Sequence, residues 1–89
     1  MKKPEKHIPH HSHTQKMENL MEFDNEGLVG LRAMFMMEAE VLYPEYLKLR
    51  SVNRFEYDKQ EHRHFWLLNT IIEIDYIIKM REWLENNAA

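Results

Sequence analysis

Apolar positions recur along the first half of the chain at helical spacing. Met17, Leu20, Met21, Leu28, Leu31, Phe35 and Leu42 fall within about 100° of arc when each residue turns 100°. One stripe of this kind predicts a helix over residues 13–43, opened by Ser12 with Gln15 three places later as a capping box. Gly27 and Gly30 interrupt the stripe, at a cost of about 1 kcal/mol each against alanine. The segment "EFDNEG" offers a break near 24–27, with Asp24 or Asn25 capping a second helix. Both readings, one long helix or two, keep the phase of the stripe.

Pro44 either kinks this helix or opens a short new one at "PEYLKL". "RSVNRFE" reads as the turn, and Asn53 with Glu56 repeats the capping pattern. No glycine or proline follows Pro44. Residues 54–86 therefore predict one helix of about 30 residues, about 45 Å long. Within it "TIIEIDYII" alternates like a strand. No turn signal bounds that segment and no second strand candidate exists to pair with it, so the strand is rejected. The expected fold is all-α: a long helical hairpin, 13–89, behind a flexible tail, 1–12.

The second helix carries apolar side chains in almost every direction around its axis, and a helix of that kind must be buried on nearly all sides. One neighbouring helix covers one face. A homodimer packing two hairpins into a four-helix bundle supplies the rest. The residues expected at such an interface are Met34, Phe35 and Met37 on the first helix. On the second they are Phe65, Trp66, Ile71, Ile74, Ile77, Ile78 and Trp83. Met34, Met36 and Met37 also suit an adaptable binding face, against the plainer reading that they fill a core.

Charge changes the picture. Residues 1–17 hold Lys2, Lys3, Lys6 and Lys16 against Glu5, net +3, while residues 18–89 hold 8 basic and 14 acidic groups, net −6. An acidic body argues against a nucleic-acid phosphate backbone as partner, in spite of Lys48, Arg50 and Arg54 near the turn. It suits a protein partner with a basic surface. The chain has no cysteine, which excludes disulfides and thiolate chemistry and fits a reducing compartment. The N-terminal lysines precede no apolar signal segment, and the run Phe65–Ile78 is too short and too charged to span a bilayer. The expectation is a cytoplasmic protein without a membrane role.

One short stretch, "KQEHRHFWLL", carries candidate chemistry. Glu61 and His64 lie one turn apart on a helix face. Glu38 lies within the apolar stripe of the first helix. Folding the hairpin about residues 49–52 sets Glu38 level with roughly residues 61–66, and Asp24 level with roughly 75–80, near Asp75. A glutamate facing Glu-x-x-His is half the ligand set of a di-iron or di-manganese carboxylate bundle, which a homodimer would complete. Glu38, Glu61 and His64 thus form a candidate site for Fe, Mn or Zn. The competing reading pairs Glu38 with Arg63 or another cation, or points it out at the bundle's edge, with a polar layer that fixes register. Under it, replacing His64 with alanine should cost little. In the tail, His7, His10, His11 and His13 form a second candidate, a flexible chelate. No phosphate-binding glycine loop is present. Ser12 and Ser51, the only serines, have no triad partners at a telling spacing. The sequence therefore favours a non-enzymatic α-helical interaction protein without a required cofactor, acting as a homodimer on another protein. A metal-binding bundle is the alternative.

Overall fold

The computed structural model describes residues 8–87, with side chains from residue 15 onward. Three helices account for nearly all of it: α1 (Ile8–Met21), α2 (Asn25–Leu47) and α3 (Arg54–Asn87). No strand occurs among the described residues, and "TIIEIDYII" lies inside α3.

The first helical stretch is two helices, not one. Glu22 and Phe23 form the turn, and Asp24 caps α2 in extended backbone conformation. Its carboxylate accepts a hydrogen bond from Gly27 N at 2.8 Å. An aspartate side chain offers the backbone this alternative to a helical bond, and here it opens a new helix. Asp24 thus works as a cap and does not face Asp75, as the register estimate suggested. α1 passes through Ser12, so no helix begins at His13, and Gln15 donates to Asn19 Oδ1 at 3.0 Å. The expected tail overlaps α1 at residues 8–12. Residues 1–7 lie outside the described part.

Pro44 stays inside α2. It cannot give an N–H to the Glu40 carbonyl, but its ring sits on an exposed face, and the helix runs on to Leu47. Asn53 then caps α3, accepting from Glu56 N at 3.1 Å. Glu56 does not reach back to complete a capping box; its carboxylate accepts from Gln60 Nε2 at 3.0 Å. With no breaker in its sequence, α3 continues for 34 residues.

α2 and α3 form an antiparallel hairpin. Its register is read from Arg81 on Asn25, Arg32 on Asp75, Arg63 on Glu38 and Tyr46 against Tyr57. α1 runs along α3 in the same direction as α3 itself. Lys16 lies beside Thr70 and Glu73, Leu20 beside Ile74 and Ile77, and Arg81 donates to the Met21 and Phe23 carbonyls. The core has two ends. At one end Leu20, Leu28, Ile74 and Ile77 pack together with Met17, Leu31, Phe35 and Ile78. At the other end Tyr46, Tyr57 and His64 are buried, with Ala39 and Leu67 between the ends.

Candidate interaction groove

The two sides of the α2–α3 hairpin differ. On one side lies α1. Trp66 is held there between Lys16, 5.0 Å from the ring centre, and Arg63, 5.1 Å away, with the Phe35 ring edge-on at 5.5 Å. Arg63 also grips Glu38 in a two-bonded pair, 2.9 and 3.0 Å. Lys16 reaches Glu73 at 3.0 Å and Thr70 Oγ1 at 3.1 Å. This chain of cations, ring and acids ties all three helices together.

The other side is an open trough of about 720 Å³. Ala33, Met36, Met37, Ala39, Glu40 and Tyr43 line it from α2, and His64, Leu68 and Ile71 from α3. The local sequence explains the shape. Ala33 and Ala39 lack bulk on the α2 wall, so the helices leave a channel there, while methionines form its outer edge. Met36 and Met37 are 52% and 67% exposed, which marks an apolar surface facing solvent. Val41 and Leu42 extend it around α2, past Met37, toward Glu38 and Glu45.

The floor of the trough is aromatic. Tyr43 stacks on the His64 ring with centres 5.1 Å apart. Tyr46 Oη and His64 Nδ1 lie 3.3 Å apart and share one hydrogen bond, whose direction the imidazole tautomer sets. Burial, and after it the nearby Glu61 carboxylate, pushes the Tyr46 phenol above its usual range. Comparisons with protein-family models, with curated proteins and with solved structures gave no match. The reading of the site therefore rests on its geometry.

The sequence candidates separate in space. Glu38 points to Arg63, Glu61 accepts from Tyr57 Oη at 3.3 Å, and His64 lies in its tyrosine cage. The hairpin sets Glu38 level with Arg63, as the register estimate required, but a guanidinium takes the carboxylate. No three of His, Asp or Glu converge as a metal-holding group among the described residues. The side chains of His7, His10, His11 and His13 lie outside the described part.

The candidate interface residues also divide. Ile74 and Ile77, expected between two copies, are fully buried within the chain, because α1 and α2 already cover that face of α3. Phe35 and Ile78 are half-buried against the same cluster, and Ile71 is half-buried in the wall of the trough. Met34, Met37, Phe65, Trp66 and Trp83 remain exposed. The expected interface set left out Ile72 and Tyr76, yet they are 65% and 58% exposed. With Phe65 and Trp83 they fall within about 40° of arc on the outer face of α3. The signal was available as a second stripe, shifted by about half a turn from the first.

Proposed function

We propose that this chain is a non-enzymatic interaction module, a homodimer that binds and modulates another protein. One observation carries the reading: α3 is apolar on opposite sides. Its inner stripe packs on α2, while Phe65, Ile72, Tyr76 and Trp83 stand bare on the outer side. That outer seam runs over residues 65–83, about 27 Å of helix. Large apolar side chains recurring in the open along one helix face suit an interface. A second copy presenting the same seam covers it by two-fold symmetry, joining two hairpins into a bundle. The acidic body is suited to a basic partner.

Sedimentation tests the assembly. The wild-type chain is expected at twice the chain mass, and Ile72→Glu at one chain mass with helix content unchanged. A wild-type chain that stays monomeric across concentrations overturns the proposal.

A further inference from the structure

The side of the hairpin opposite the trough displays how such a surface is filled. There Leu20 of α1 enters the cluster of Leu28, Ile74 and Ile77, and Lys16 reaches Glu73 at 3.0 Å. The docked element is a helix with apolar anchors and a cation set against an acid of the receiving hairpin. The trough presents the same receiving features without the helix. Met36, Leu68 and Ile71 supply apolar surface, and Ala33 and Ala39 keep the channel deep. Glu40 is the one acid on its rim. Glu38 and Glu45 on the same helix pair with Arg63 and Lys48, but Glu40 forms no ion pair among the described residues. No lysine or arginine lines the channel.

We propose that the trough receives an amphipathic α-helix of a partner protein, with a lysine or arginine beside its apolar face to meet Glu40. The α2 wall from Ala33 to Tyr43 is about 15 Å long. It matches about three turns of a guest helix, with anchors at i, i+3 or i+4, and i+7. An open channel between two rods fits a third rod better than a compact ligand, and methionines let it accept varied anchors. This inference rests on the reading of the chain as an interaction module, but not on its self-association.

The test uses the full chain and two synthetic peptides of about 18 residues with the same leucine face. One is flanked by lysines and the other by glutamates. Titration followed by fluorescence anisotropy at low salt is expected to show the lysine peptide binding about fivefold tighter. Glu40→Lys should reverse the preference. Ala33→Trp fills the channel from an exposed position and should weaken both peptides, with helix content by circular dichroism unchanged. Ile72→Glu should bind the lysine peptide as the wild type does, so failure of the dimer and failure of the trough are read separately. Binding of neither peptide overturns the inference. So does an unchanged preference in Glu40→Lys. If Ala33→Trp instead splits a dimer in sedimentation, a second copy occupies the trough and the proposal falls.

Discussion

Glu38 and His64 carry similar promise in the sequence and end in different surroundings. Glu38 is about half exposed and held by Arg63. An exposed pair of this kind is worth about 0.2–1 kcal/mol, so Glu38→Leu should shift stability by no more than about 1 kcal/mol in either direction. His64 is buried, stacked on Tyr43 and bonded to Tyr46. The structure therefore reverses the expectation that its loss is cheap. His64→Ala leaves a void beneath two tyrosines and an unpaired phenol, and should cost about 2–3 kcal/mol. Denaturant melts of the two variants check this, and a His64→Ala effect smaller than that of Glu38→Leu would contradict the cage. Tyr46 adds a pH dependence. Its pKa is raised from the ordinary 10.0 by burial first and Glu61 second. The fold thus favours the neutral phenol. That contribution is complete below pH 10.0 and falls as pH rises beyond it, where the unfolded chain ionises first. Tyr46→Phe keeps the ring and removes the titration. The difference in stability between wild type and variant should shift against the wild type above that pH, measured by urea melts across the alkaline range.

At the scale of elements, the helical stripe located the first two helices but could not choose between one helix and two. The residues before and after the turn keep a common phase, so periodicity is blind to the break. The chemistry of Asp24 decides it, because a carboxylate bonded to Gly27 N ends the ladder there. α3 was legible almost to the residue, since nothing between Arg54 and Asn87 interrupts it. The two glycines of α2 looked equivalent in the sequence and are not. A Cβ on Gly27 would lie 3.1 Å from Asp24 Oδ1 and 3.2 Å from Phe23 Cδ1, so the cap needs the close approach glycine permits. A Cβ on Gly30 meets nothing within 4 Å. Gly30→Ala should therefore stabilise the chain by about 0.5–1 kcal/mol through helix propensity alone. Gly27→Ala should fall short of that gain. Thermal melts of the pair test the assignment, and equal gains would mean that the Asp24 cap is not tight.

The whole molecule is extended, 57 × 42 × 16 Å, with a radius of gyration of 16.7 Å. A compact chain of this length has about 12 Å. Many of its large apolar side chains stay exposed, among them Met34, Met37, Phe55, Ile72 and Trp83. The excess of apolar side chains was legible in α3, apolar in almost every direction. Which of them stay exposed was not, because the directions taken by α1 and α2 are set by tertiary packing. Ile72 and Ile74 make the point, two residues apart and both isoleucine, one exposed at 65% and the other fully buried. Their substitutions should separate assembly from folding. Ile74→Glu places a charge in the chain's own core and should abolish cooperative unfolding, since an unpaired buried charge costs several kcal/mol. Ile72→Glu should leave a cooperative helical monomer. Because association stabilises by mass action, the melting temperature of the wild type should rise with chain concentration, and that of Ile72→Glu should not. If the wild-type melting temperature is independent of concentration while Ile72→Glu melts like it, the outer seam of α3 does not join two copies.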